Sequence, residues 1–390
     1  MVTFNPNDPA FLENPFPLYA FGRQMSPVFF EGRGAWGAFR YDECTAILRD
    51  HETWSSWLPG DAGADLPEPS MLSSDPPRHT RLRGLVSQAF TPRMIEQLEP
   101  RIRQVANELV DRICERRECD VVEALTYPLP VIMIAEILGV PPEDRDDFKR
   151  WSDEVVATLG SGIGDEARTV SEQTLEEMRE YFERLAEERR HHPRQDLLSG
   201  LVQAELEGSK LNQQELLQML ILLLVAGNET TTNLIGNAII EFMNHPDQLQ
   251  RVLDEPALLP SAVEEVLRYS SPVQATARRA TRDVEVSGKV ISKDQVCLVW
   301  LASANRDPAV FPDPDTFDVG RTPNRHLAFG MGIHFCLGAP LARLEARIAL
   351  EVFLRRVRNF RRTTGGPLPR VPTFIMRGVR ELPIAYEVVA

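Results

Sequence analysis

Phe329-Gly330-Met331-Gly332-Ile333-His334-Phe335-Cys336-Leu337-Gly338 is the stretch on which the reading of this chain turns. Two glycines two residues apart let a backbone turn tightly, or let a flat ligand come close. A cysteine follows, then Gly338, Pro340 and a helical pattern from about Pro340 to Val357, with the proline suited to a first helical turn. A thiolate at a helix start is favoured by the unsatisfied N–H groups and the helix dipole. A soft anionic sulfur held there suits a transition metal. On the residues alone, three other readings stay open. Cys336 is an inert buried cysteine, or part of a zinc site, or the nucleophile of a Cys–His pair. Structural zinc takes four ligands at close spacing, and only His334 and Cys336 stand here. A Cys–His nucleophile needs a third group to orient the histidine, and the sequence supplies none nearby.

Upstream, Met219 to Ile240 reads as one long helix that begins very apolar and contains Ala226-Gly227-Asn228-Glu229-Thr230-Thr231. An interior glycine costs about 1 kcal/mol relative to alanine, and consecutive threonines are poor helix formers. Local weakness of this kind often marks a functional site. The competing reading is a core helix whose Glu229 sits in a surface salt bridge. Further upstream, His79 and Arg83 stand at i and i+4 and share a helical face. They form either a solvated basic face or a pair with an anion between them. Glu265 and Arg268, at i and i+3, are by themselves a commonplace helical pair.

The bulk properties bound the rest. The chain has 390 residues, 43% hydrophobic, enough for a large core. Its net charge of −14 argues against nonspecific nucleic-acid binding. The cysteines, Cys44, Cys114, Cys119, Cys297 and Cys336, are few and scattered, which suits a reducing cytoplasm better than a disulfide framework. The N-terminus shows no basic and apolar signal pattern. The longest apolar run, Met219 to Ala226, is too short to span a bilayer. Amphipathic periodicity predicts helices near 80–90, 93–117, 131–138, 143–158, 166–191, 213–244, 246–253 and 260–269. Residues 1 to 35 read as an irregular wrap with a hairpin near Gly32 to Phe39. Val284–Val286 and Gln295 to Trp300 read as strands, Asn305 to Arg325 as proline-dense coil, and Arg370 to Val388 as a second hairpin. The expectation is one mainly α domain over residues 1–390, a large helical body with a small β-rich portion, the first 50 residues or so containing some of that β structure.

The ten-residue run resembles the haem-binding loop of cytochromes P-450, F-G-x-G-x-H-x-C-x-G, at every specified position. Ala226 to Thr230 resembles that family's A-G-x-[D/E]-T motif. The helix around His79 and Arg83 resembles its H-x-x-x-R helix, and Glu265 with Arg268 its E-x-x-R pair. Asn305-Arg306-Asp307-Pro308, Phe311-Pro312 and Phe317-Asp318-Val319-Gly320-Arg321 follow in the family's order. The likeness runs from about Asp75 to the C-terminus and implies the cytochrome P-450 fold of the soluble bacterial class. It also implies a haem b cofactor (iron protoporphyrin IX) with Cys336 as the iron's axial ligand, which favours O–O cleavage.

The same resemblance assigns His79, Arg83, Arg278 and His334 to the haem propionates, with Arg279 kept open beside Arg278. It sets Phe329 beside the sulfur, and Ala226 where room is left for dioxygen. Thr230 would bond iron-bound dioxygen and Glu229 would relay protons. Glu265, Arg268 and Arg321 would hold the scaffold. The substrate side would be lined by Leu58, Leu72, Leu222, Val225, Val273, Gln274, Ala275, Thr276, Phe374, Ile375 and Met376. These are mostly apolar, so a lipophilic fatty acid, steroid, terpenoid or polyketide fits.

The implied activity is hydroxylation or epoxidation by a monooxygenase using O2. A haem-thiolate peroxygenase and a non-enzymatic haem sensor are the alternatives. The acid–threonine pair disfavours the peroxygenase, and a sensor needs neither that threonine nor a lipophilic pocket. No reductase domain follows, so a ferredoxin or flavodoxin-type donor with its reductase is expected, docking on a cytoplasmic monomer without a membrane anchor. Arg78, Arg81, Arg101 and Arg103 are either its landing patch or ordinary solvated arginines.

Overall fold

The structure, a computed structural model, describes residues 8–30, 34–58, 70–158, 172–204 and 208–389. The chain divides into two compact units. The first comprises Met1–Trp54, Pro100–Leu129 and Thr230–Ala390, and the second Ser55–Glu99 and Pro130–Glu229.

The first unit carries the β structure. Its larger sheet runs, in spatial order, Val28–Phe30, Ala35–Ala38, Val296–Val299, Thr276–Ala280 and Trp54–Ser55. Ala35–Ala38 lies parallel to Val296–Val299, with Trp36 opposite Cys297. Thr276–Ala280 lies antiparallel to it, with Arg278 opposite Cys297. Cys44, Ile47, Trp54, Cys297, Val299, Leu301 and Leu327 pack against this sheet in one buried cluster. A smaller sheet joins Glu118–Asp120, Pro383–Val388 and Val357–Arg362. Two helices frame the region of the cysteine, Leu259–Tyr269 and Ala339–Arg356. The second begins with Gly338 as its cap and a proline in its first turn, where a missing N–H costs nothing.

The second unit is helical: Arg78–Ala89, Arg145–Thr158, Glu172–His191 and Leu197–Gln203 lie wholly within it. Arg189, sealed from solvent, ties two of its segments by bonding Asp196 at 2.7 Å and the Gly139 carbonyl at 2.9 Å. The longest helix, Gln213–Asn244, is shared by both units. By length and composition it could cross a bilayer, yet 56% of its most apolar window is buried inside the protein.

The structure corrects one expectation about local structure, extends a second and adds a strand. The N-terminal stretch holds the helix Phe16–Met25, with Pro17 in its first turn and Tyr19 and Gly22 buried. A methyl on Gly22 would lie 2.4 Å from the Phe39 ring, so close packing on that ring, not apolar periodicity, holds this helix in place. Arg370 to Val388 holds a short antiparallel turn: Arg370 is bridged to Val379, the Val371 N–H donates to the Gly378 carbonyl at 3.3 Å and the Arg380 N–H to the Pro369 carbonyl at 2.8 Å. Its last strand, Pro383–Val388, pairs instead with Val357–Arg362 and Glu118–Asp120. Thr276–Ala280 is a strand whose alternation is hidden by two successive arginines, one turned in and one turned out.

Candidate active site

Cys336 sits where a tight loop meets a helix. Its N–H donates to the Phe329 carbonyl at 2.9 Å, closing the loop on itself. Gly330 and Gly332 have φ of +68° and +73°, the left-handed region that glycine enters without penalty. A methyl on Gly332 would also lie 2.4 Å from the Leu48 carbonyl, so the loop presses against the end of the helix Tyr41–Arg49. The Arg49 Nε donates to the Met331 sulfur at 3.0 Å beside the same contact. The sulfur of Cys336 lies 4.0 Å from where a Gly338 methyl would stand, against the first turn of Ala339–Arg356.

The remaining cysteines contrast with it. Cys44 and Cys297 are fully buried, and burial pushes the Cys297 thiol up to about 12 and Cys44 well above its usual value. Cys119 is raised by burial as well. Cys336 keeps partial exposure.

A brace the sequence did not reveal supports the loop. Arg343 stands 4.5 Å over the Phe329 ring and donates twice to Glu264, at 2.7 and 2.9 Å. His326 joins the same carboxylate at 3.0 Å. Burial works against the Glu264 charge, yet the His326 and Arg343 hydrogen bonds outweigh it and hold the acid at about 2. These residues are 17 to 79 positions apart, and no local pattern announces them.

Glu265 and Arg268 are both fully buried and form a forked pair, at 2.8 and 2.7 Å. Arg268 also donates to the Asn305, Pro314 and Thr316 carbonyls. Arg321 donates to Glu265 at 3.1 Å and to the Pro312 carbonyl at 2.8 Å. Asn324 and the Asp318 N–H complete the acceptor's partners. The proline-rich coil thus closes around one ion pair.

The strand Thr276–Ala280 separates its two arginines. Arg278 is 7% exposed and its Nη1 donates to the Ala277 carbonyl at 2.7 Å. Arg279 turns outward and pairs with Asp294. On either side, Val273 and Thr276 are half-buried, whereas Gln274 and Ala275 are buried. The Gln274 side chain accepts from the Tyr19 hydroxyl at 2.8 Å and so ties down an N-terminal helix. Phe374 and Met376 are buried too, Phe374 against Trp300, and Ile375 between them is half-buried.

In the second unit, His79 is 3% exposed in the first turn of Arg78–Ala89, and half-buried Arg83 follows one turn later on the same face. Arg78 and Arg81 both bind Glu215. In the first unit, Arg101 and Arg103 face Glu108 and Glu351. All four basic-patch candidates therefore stand beside acids. Leu58 is half-buried and Leu72 is 60% exposed.

The long helix runs unbroken through Gly227 to Thr232. One stripe of it, Leu222, Val225, Glu229 and Thr230, is half-buried with Ala226 exposed at its centre, while Leu224, Asn228 and Thr231 are buried. Gly227 is required for contact, since a methyl there would lie 3.3 Å from Ile134.

The donor set fits a haem. Among the described residues no three His, Cys, Asp or Glu side chains gather as a metal site. A metal bound through the Cys336 sulfur must therefore bring most of its own ligands, as a porphyrin-held iron does.

Comparison with known proteins agrees. Residues 64–378 match the family model "Cytochrome P450". The chain is 45% identical over 341 residues to "Putative cytochrome P450 YjiB" of Bacillus subtilis, covering 86% of each. It superposes on cytochrome P450 CYP109Q5 from Chondromyces apiculatus with a TM-score of 0.91 and 43% identity over 99% of both chains. It matches CYP109E1 from Bacillus megaterium, solved in complex with testosterone, with a TM-score of 0.88 and 40% identity, over 96% of this chain and all of that one. The fold and site define a haem-thiolate oxygenase, and the chain belongs to the cytochrome P450 family. It is a monooxygenase acting on lipophilic molecules with O2 and electrons from redox partners.

Proposed function

We propose that this enzyme binds haem b through Cys336 and inserts one oxygen atom of O2 into a lipophilic small molecule by hydroxylation or epoxidation. The observation that carries the assignment is the placement of the Cys336 sulfur at the start of Ala339–Arg356, in a loop pinned by the Leu48 carbonyl. The bound haem supplies the dioxygen-activating iron, and the thiolate supplies the electron density that favours O–O cleavage. Arg278, His79, Arg83 and His334 pair with the propionates. Arg278 is preferred to Arg279 because it is buried while Arg279 is committed to Asp294. Thr230 holds a hydrogen bond at the oxygen side and Glu229 passes protons to it, while Ala226 keeps the space between them and the ligand clear.

Of the set expected on the substrate side, Leu58, Leu222, Val225, Val273, Thr276 and Ile375 are half-buried. Mostly apolar side chains with one hydroxyl suit a lipophilic fatty acid, steroid, terpenoid or polyketide. Relatives support three of these: "Polyketide biosynthesis cytochrome P450 PksS", P450BioI, solved with hexadec-9Z-enoic acid ligated acyl carrier protein, and CYP109E1, solved with testosterone. The electron donor is a ferredoxin or flavodoxin-type protein with its own reductase, serving a cytoplasmic monomer.

The test is the carbon-monoxide difference spectrum of the reduced protein. The red-shifted Soret band of a thiolate-bound haem is expected, and Cys336→Ala should abolish it. A histidine-type spectrum in the parent protein would overturn the assignment.

A further inference from the structure

A small cavity in the first unit is lined by Phe11, Tyr19, Arg370, Thr373, Phe374 and Arg377, among others, with about 10 Å³ open to the centre of a water-sized atom. That is room for one such atom. Arg377 is 9% exposed and uses its two Nη groups on the Leu12 and Glu13 carbonyls, at 3.3 to 3.4 Å. Its Nε is buried and has no acceptor among the described residues. The same holds for the Nε of Arg370, whose backbone is bridged to Val379.

Arg370 and Arg377 therefore both line one cavity. Burial pushes Arg377 down to about 10, and nearby Arg370 adds to that. Glu13 and Glu241 are close enough to favour the Arg370 charge, and Tyr19 and Glu241 that of Arg377, whereas Arg306 and Arg362 oppose them. A buried water would satisfy the orphan donors but leave the like charges facing each other. A compact anion would do both, adding a counter-charge within the cavity to the influence of Glu13 and Glu241.

We propose that Arg370 and Arg377 form a binding site for one monatomic halide anion. The anion clamps the N-terminal segment, through Phe11 and Tyr19, to the turn that carries Phe374 and Met376. Its chemistry is independent of the haem and of the substrate.

The experiment uses the full-length, haem-loaded enzyme. Thermal unfolding is compared at equal ionic strength in chloride, in bromide and in a bulky organic sulfonate, and bromide-grown crystals are examined for anomalous scattering. Tm should be about 1–2 °C higher in chloride or bromide than in the sulfonate. Arg370→Gln, which removes no hydrogen bond of the fold, should lose that difference and the bromide peak beside Arg377. An identical chloride response in Arg370→Gln, no response in the parent, or a water in place of the bromide peak would each overturn the proposal.

Discussion

Arg268 grips Glu265 with two parallel hydrogen bonds, at 2.8 and 2.7 Å, and neither residue is exposed to solvent. Such a pair is weak evidence of stability when compared with an apolar replacement, but breaking it strands a buried charge. Arg268→Ala should therefore cost about 3–5 kcal/mol in urea unfolding. Arg268→Lys should recover only part of that, because an ammonium lacks the fork that also reaches the Asn305, Pro314 and Thr316 carbonyls. A loss below about 1 kcal/mol for the alanine variant would show that the network contributes nothing to holding the coil.

Gly332→Ala tests the cysteine loop. It meets the left-handed penalty of about 1–2 kcal/mol together with the Leu48 carbonyl, 2.4 Å away. Gly366→Ala, with φ +86° but open space around it, meets only the first. The Gly332 variant should be the less stable of the two and retain haem less well. Equal stabilities would mean that the Leu48 approach is not tight.

Arg278 and Arg279 should separate in cofactor retention. With the charged hydrogen bonds to a propionate worth about 1.5–3 kcal/mol, Arg278→Ala should release haem to an apoglobin acceptor roughly 10 to 100 times faster. Arg279→Ala removes an outward pair with Asp294 and should change the rate by no more than about twofold. The reverse order would reassign the propionate contact.

Thr230→Ala should lower the product formed per NADPH consumed by at least about 10-fold, with peroxide taking up the missing electrons. Thr230→Ser keeps the hydroxyl and should restore most of the coupling. Unchanged coupling in the alanine variant would remove Thr230 from proton delivery.

Glu345 carries a pH dependence. It is 2% exposed on Ala339–Arg356, and its Oε2 has no partner among the described residues. Burial alone pushes its carboxyl up to about 8. The folded protein thus keeps a proton that the unfolded chain releases near the usual 4.5. Stability from this group is full below the unfolded value and is lost as pH rises towards about 8. Glu345→Gln should match the parent near pH 4.5 and exceed it near pH 8, as followed by urea unfolding at each pH. Parallel stability curves would contradict the buried neutral acid.

By itself the sequence determined the family, the cysteine loop and the mainly helical class. Those signals are local: glycines that permit a turn, a cysteine before a helix, and apolar residues at helical spacing from Gln213 to Asn244. Tertiary structure alone decided which of Arg278 and Arg279 turns inward, because that depends on the register of their strand against Val296–Val299. It also decided that Gln274 accepts a hydrogen bond from Tyr19, 255 residues away. The brace of Glu264, His326 and Arg343 behind Phe329, and the cavity lined by Arg370 and Arg377, share that origin. Their partners meet only after long loops have closed. Sequence spacing records which side chains share a helix face or a strand face, not which distant carbonyl or carboxylate the fold sets opposite them.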